Sequence, residues 1–193
     1  VKQQNDDLQL IERFRSGDDR AFEELVRRYQ RQVANVIYLT MGSREEVDDL
    51  TQEVFMRVHR SLSRFERGAS VFSWIYRIAI NLCIDEIRRR KIRKTMSLEF
   101  FTDHRLERER QSKARPSADE QTLKEEKNQM IRDALQKLST VHRQVIILRE
   151  YEEMSYDEIA KTLRISTQAV KSRLFRARDE LRNLLKDYFK ERT

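Results

Sequence analysis

Little in this chain can cross-link it, turn a strand or span a bilayer. Its 193 residues include one cysteine, Cys83, one proline, Pro116, and three glycines. A lone thiol excludes an internal disulfide and a cysteine-rich metal site, and fits a reducing compartment. So few glycines and prolines leave short strands nowhere to reverse, and the expected fold class is all-α. No uninterrupted apolar stretch approaches the roughly 20 residues that a membrane span needs. The opening VKQQNDDLQL has no signal-peptide core. The expectation is a cytoplasmic protein without membrane insertion.

Charge is abundant. Lys and Arg number 40 against 33 Asp and Glu, a formal net charge of +7, and the isoelectric point is about 9.6. Such a balance suits a polyanionic partner, nucleic acid foremost, although membrane-surface proteins and merely well-solvated ones share it.

From Asp18 to Ile92 apolar residues recur at helical spacing: Phe22, Leu25, Val26, Tyr29, Val33, Val36 and Ile37, then Val47, Leu50, Val54, Val58 and Leu62, then Phe72, Ile75, Ile78, Leu82 and Ile87. Three or four helices around one core account for them, with breaks at Gly42-Ser43 and at RGAS (67–70). Residues 103–127, DHRLERERQSKARPSADEQTLKEEK, are polar and mixed in charge, too poor in apolar area to offset the entropy of ordering. They predict a linker, helical in part at its flanks. Periodicity resumes at Ile131, Leu135 and Leu138, then Val141, Val145 and Leu148, then Ile159, Leu163, Ile165, Val170, Leu174, Ala177 and Leu181. The expected domains are 1–95 and 128–193, with 96–127 between them and no internal repeat.

Within the second domain, Ser155 with Glu158 three residues on predicts a capping box. A helix to about Leu163, a three-residue turn RIS (Arg164 to Ser166) and a second helix capped by Ser166 then follow. At 100° per residue the second helix puts Val170, Leu174, Ala177 and Leu181 on one stripe. Gln168, Ser172, Phe175, Arg176 and Asp179 fall opposite, with Lys171 and Arg173 at the flanks. A cationic face is ordinarily only solvated, but a solvent-directed phenylalanine, a short turn and a polar helix start point to a helix-turn-helix whose second helix enters the major groove. Gln there reads adenine, Arg or Lys reads guanine, and Phe touches a thymine methyl. Lys171, Arg173 and Arg178 are equally suited to clamp phosphates.

The stretch LSTVHRQVIILREYEEMSYDEIAKTLRISTQAVKSRLFRARDELRNLL (138–185) resembles the promoter-binding region 4 of bacterial RNA polymerase sigma factors, and VKSRLFRAR is similar to the short extracytoplasmic-function class. The resemblance implies a minus-35 DNA-binding set of Thr167, Gln168, Lys171, Ser172, Arg173, Phe175 and Arg176. Arg164 departs from it, standing where relatives often have Gly or Asn, and Ser139-Thr140 stands where many have a proline.

DDLTQEVFMRVHRSLSRF (48–65) resembles the region 2 helix that docks on a coiled coil of the largest polymerase subunit, which implies polymerase binding by Asp48, Asp49, Gln52 and Glu53. The plain alternative for Asp49 and Glu53 is solvated surface charge. FERGASVFSWIYRIAINLCIDEIRRRKIRK (65–94) is similar to the segment that opens and reads the minus-10 element. The implied contacts are Phe65, Gly68, Ser70, Trp74, Arg77, Asn81, Arg88 and Arg89, with a pocket for a flipped base and arginines on the backbone. Phe72, Trp74 and Tyr76 have an ordinary core reading beside it, Trp74 as a keystone between helices.

Taken together, the resemblance implies a factor that binds core RNA polymerase and promoter DNA, needs no cofactor, and is held in check by an anti-sigma factor. The two promoter elements lie about 70 Å apart, two turns of duplex on. A free coil of about 25 residues averages only about 25–30 Å, so the linker is expected to be stretched on the polymerase. A stand-alone helix-turn-helix regulator is the alternative, and it leaves DDLTQEVF without a purpose. An enzyme is a third: His59, His104 and His142 lie in separate segments with no ligand-spaced partner, and Cys83 reads as an inert core thiol.

Overall fold

A computed structural model describes residues 2–66, 70–100 and 120–190. All regular structure among them is helical. The first lobe comprises α1 (Lys2–Arg15), α2 (Asp19–Met41), α3 (Val47–Leu62) and α4 (Val71–Phe100). The second comprises α5 (Glu120–Lys137), α6 (Thr140–Ile146), a π-helical turn (Ile147–Tyr151), α7 (Tyr156–Leu163) and α8 (Thr167–Lys190). α4 runs to Phe100 and α5 starts at Glu120, so the segment expected as linker has helical flanks. Its middle, with Pro116, lies outside the described residues, as do Gly68 and the rest of 67–69.

Local chemistry sets the ends of α2. Asp18 caps its start, Oδ1 accepting from the Arg20 N–H at 3.1 Å. Gly42 ends it with φ 77°, a left-handed conformation that glycine adopts without Cβ strain, and its N–H reaches the Tyr38 carbonyl at 2.8 Å.

The first-lobe core joins Leu25, Tyr29, Val33 and Ile37 of α2 to Val54, Val58 and Leu62 of α3 and Ile75, Ala79, Leu82 and Cys83 of α4. Burial pushes the Cys83 thiol up to about 12, consistent with an inert core residue. α1 is an element that the periodicity did not predict. Leu10 and Ile11 fill the core edge, and its buried Asp7 accepts from Tyr29 Oη and pairs with Arg28 at 2.5 Å.

The second core is built by both lobes. Val36 and Leu39 of α2 and Tyr76 and Ile80 of α4 are buried with Leu135, Leu138, Val145, Ile147, Met154, Ile159, Val170, Leu174 and Ala177. Besides the segment that joins them in sequence, the lobes share apolar surface. Val141 differs from its expected placement, 45% exposed although its spacing put it on the inward stripe. It lies in the first turn of α6, one turn before the buried Val145.

Candidate nucleic-acid interface

The helix-turn-helix is assembled by side chains acting locally. Ser155 Oγ accepts from the Glu158 N–H at 3.3 Å while Glu158 Oε2 accepts from the Ser155 N–H at 2.8 Å, the predicted reciprocal cap. α7 ends at Arg164, in the left-handed region with φ 54°. The departure noted in the sequence thus falls on a conformation that a glycine or asparagine adopts more cheaply. Ser166 Oγ caps α8 by accepting from the Ala169 N–H at 3.1 Å, and Thr167 Oγ1 donates to Asp157 Oδ1 at 3.1 Å, stitching the start of α8 to α7.

Packing then aims α8. Val170, Leu174 and Ala177 are at most 1% exposed, which turns Gln168, Lys171, Ser172, Phe175 and Arg176 to solvent. Arg173 and Thr167 sit half-buried at the margins. Phe175 is 76% exposed, a large apolar ring held in water on an otherwise polar face. Isolated exposed apolar groups are common, but this one lies amid hydrogen-bonding side chains on the face a groove would meet. Arg178, read as a phosphate clamp, is instead committed to Glu150 at 2.6 Å.

The second candidate surface runs along α4. Ser70 caps this helix, Oγ accepting from the Ser73 N–H at 3.1 Å. Trp74, Arg77, Asn81 and Arg88 lie within a stripe about 60° wide at helical spacing, Trp74 and Arg77 half-buried, Asn81 and Arg88 exposed. Phe65 is 5% exposed and meets the Trp74 indole edge-on at 5.2 Å. It supports that indole from the core, so its ring is not itself presented to DNA in this conformation. Tyr76 is fully buried, and Phe72 packs on it at 4.4 Å, the ordinary core reading. Arg89, Arg90 and Arg93 gather around Glu86, and Arg90 also pairs with Glu46. α4 packs on α7, and burial, followed by the charge of Arg164, lowers the Arg77 pKa.

On α3, Asp48, Asp49 and Gln52 are exposed, and the two aspartates favour the helix N-terminus. Glu53 is half-buried and pairs with Arg57 at 2.7 Å. Beside Gln52 an apolar groove of about 480 Å³ is walled by Phe22, Phe55, Met56 and His59. The convergence of α2 on α3 that makes the groove was not visible in the sequence. Two further concavities were also missed. One of about 520 Å³ between α6 and α8 is lined by Ile146, Leu181 and Leu185. The other, about 820 Å³, opens between the lobes and includes Arg31, Tyr38, Arg44, Asp48 and Glu152.

Residues 25–92 match Sigma-70 region 2 and residues 128–181 match Sigma-70, region 4. The chain is 33% identical over 195 residues to the RNA polymerase sigma-H factor of Pseudomonas aeruginosa, across 97% of this chain and 98% of that protein. It is 32% identical over 186 residues to the ECF RNA polymerase sigma-E factor of Escherichia coli, across 95% and 96%. Among solved structures, CnrH in complex with the cytosolic domain of CnrY is similar, with a TM-score of 0.68 and 27% identity over 94% of this chain and 98% of that one. A stand-alone helix-turn-helix regulator would account for the second match and not the first. With both regions present in this order, the chain belongs to the extracytoplasmic-function class of the sigma-70 family, transcription initiation factors that act with core RNA polymerase on promoter DNA.

Proposed function

We propose a division of that role among named residues. α8 reads the upstream (minus-35) element as duplex: Gln168, Ser172, Phe175 and Arg176 face base edges, with Thr167, Lys171 and Arg173 toward phosphates. The α4 stripe of Trp74, Arg77, Asn81 and Arg88, together with Arg89, Ser70, Gly68 and the loop that Phe65 anchors, takes the downstream (minus-10) element as melted strand. Asp48, Asp49, Gln52 and Glu53 dock on a basic helix of the polymerase. The protein transfers no chemical group and works in the cytoplasm. CnrH is held in complex with the cytosolic domain of CnrY, and by that kinship an anti-sigma factor is the expected inhibitory partner here.

The observation that carries this reading is the polar face of α8 with Phe175 at its centre, 76% exposed and framed by Lys171, Ser172 and Arg176. A lone exposed ring is common, but one framed by hydrogen-bonding side chains suits a thymine methyl in the major groove. The test is run-off transcription with purified core polymerase over a library of genomic promoters. Promoter-specific transcripts that appear only when this chain is added support it. Duplex binding by the isolated chain, with no transcripts on any template, would favour a stand-alone regulator instead.

A further inference from the structure

α1 precedes the residues that match region 2, yet its last residue reaches the chain where it leaves α3. Arg15 Nε donates to Ser63 O at 3.1 Å, and Arg15 Nη2 donates to Phe65 O at 2.5 Å. Both carbonyls lie just past Leu62, the last residue of α3, where helical partners run out and a cation is favoured. One guanidinium fork thus ties two carbonyls of a single tight turn, in which Phe65 N–H reaches Leu62 O at 3.1 Å. Glu12 Oε1 steadies the fork by accepting from Arg15 Nη1 at 3.1 Å.

The helix that carries this arginine is held on several sides. Asp7 is 1% exposed and is bonded by Arg28 and Tyr29 of α2, while Leu10 and Ile11 are buried. The Phe14 ring lies 5.9 Å from that of Phe22 on α2 and 5.1 Å from that of His59 on α3. α1 can neither rotate nor slide without breaking these contacts, so Arg15 transmits a fixed position to Phe65. The buried Phe65 ring meets the Trp74 indole edge-on at 5.2 Å. α4 sets the Trp74 backbone, whose N–H bonds Ser70 O at 3.0 Å, but packing sets the direction of the indole, and Phe65 is the aromatic ring against it.

We propose that Arg15 is a positioning residue for the downstream element: it fixes Phe65 at the exit of α3, and Phe65 holds the Trp74 indole at the edge of the α4 stripe, ready for an unstacked base. This rests on the reading of that stripe as the downstream-element surface. Arg15 itself touches no DNA. Its contribution is to order the ring beforehand, because ordering a side chain at the moment of binding subtracts from what stacking gains.

Trp74 is the chain's one tryptophan, so the fluorescence of the full chain reports its position with neither DNA nor polymerase present. Arg15→Ala keeps helix propensity at the end of α1 and removes both bonds to the turn. Its Trp74 emission should shift to the red and be quenched more strongly by acrylamide than that of wild type. Arg13→Ala is the control. It loses the pairing with Asp18 at the same helix end and leaves Ser63 and Phe65 alone, so Trp74 emission should match wild type even where the melting temperature falls. Emission unchanged by Arg15→Ala, or shifted equally by both variants, overturns the proposal.

The second readout uses holoenzyme assembled from core polymerase and the full chain, with probes taken from the strongest promoter in the run-off screen. Arg15→Ala should weaken binding of the single-stranded downstream element at least about fivefold, the lower end of what one base–aromatic stack contributes. Affinity for the upstream duplex, read by the other lobe, should stay within about twofold of wild type. Equal loss on both probes would reduce Arg15 to a stability residue and overturn its positioning role. Full recovery by Arg15→Lys, which keeps the charge and loses the fork, would overturn it as well. If wild-type holoenzyme fails to bind the downstream strand, the reading of α4 falls and takes the proposal with it, whereas a bound wild type with an unaffected Arg15→Ala overturns the proposal alone.

Discussion

Glu150 Oε1 accepts two hydrogen bonds from Arg178, at 2.6 Å from Nη2 and 3.1 Å from Nε, and so staples the π-helical turn to α8. Both side chains are 46% exposed, which keeps the pair weak in water. Arg178→Ala should lower stability by no more than about 1 kcal/mol in thermal denaturation and leave upstream-element affinity within about twofold of wild type. Arg176→Ala, two residues earlier on the open face, should cost about 1–3 kcal/mol of binding to the same duplex, read by fluorescence anisotropy, with polymerase affinity unchanged. The reverse ranking would mean that Arg178 leaves Glu150 to bind DNA.

Reversing the charges on α3 tests the docking patch. Asp49→Lys with Glu53→Lys should weaken association with core polymerase at least about tenfold in a pull-down titration at physiological salt, where charge complementarity steers and orients docking. Binding of the isolated variant to upstream duplex should be unaffected. Because Glu53 pairs with Arg57 at 2.7 Å, Asp49→Lys alone is the cleaner variant if the double change unfolds α3.

Arg143 cannot be replaced by another cation. A lysine ammonium offers three donors without the guanidinium fork, and the carbonyls of Leu135, Gln136, Leu138 and Thr40 need a planar group to be satisfied together. Arg143→Lys should therefore destabilise the fold by about 2–4 kcal/mol, the range for stranding buried polar groups, as measured by urea denaturation.

Glu152 makes the contact between the lobes pH-dependent, since Tyr76 Oη donates to it there. Burial raises its pKa above the usual 4.5, and the hydrogen bond from Tyr76 offsets that only in part. A carboxyl with a raised folded pKa binds its proton more tightly when folded. Stability should therefore rise as pH falls from neutral through that raised value, levelling off below the ordinary 4.5 of the unfolded chain. Glu152→Gln keeps an acceptor for Tyr76 and has no charge to desolvate. Its melting temperature should match or exceed that of wild type near neutrality and lack this contribution on acidification, while an identical pH profile would mean that Glu152 is solvated in the folded protein.

The legibility of this chain divides along chemical range. The helix-turn-helix could be read residue by residue because its instructions are short: Ser155 and Glu158 cap one helix, Ser166 caps the next, and Val170, Leu174 and Ala177 mark the inward stripe. Pairings at a distance left no such mark. Nothing near Gln136 or Arg143 in sequence points to the end of α2, and Tyr76 read as one aromatic among three until its hydroxyl was found against Glu152. α1 was missed because Asp7 interrupts its apolar pattern, and only the fold shows that Tyr29 and Arg28 satisfy it. Nor did the sequence show that the buried Phe65 ring packs edge-on against Trp74.

The wide turn at Ile147–Tyr151 acts as a phase shifter. Each residue of an α-helix advances the chain by about 100°, so the one surplus residue rotates everything after it by that amount relative to an unbroken helix. Trimming a single position there would leave composition, charge and hydrophobicity almost untouched, yet it would swing Glu150 off Arg178 and Glu152 away from Tyr76 in one stroke.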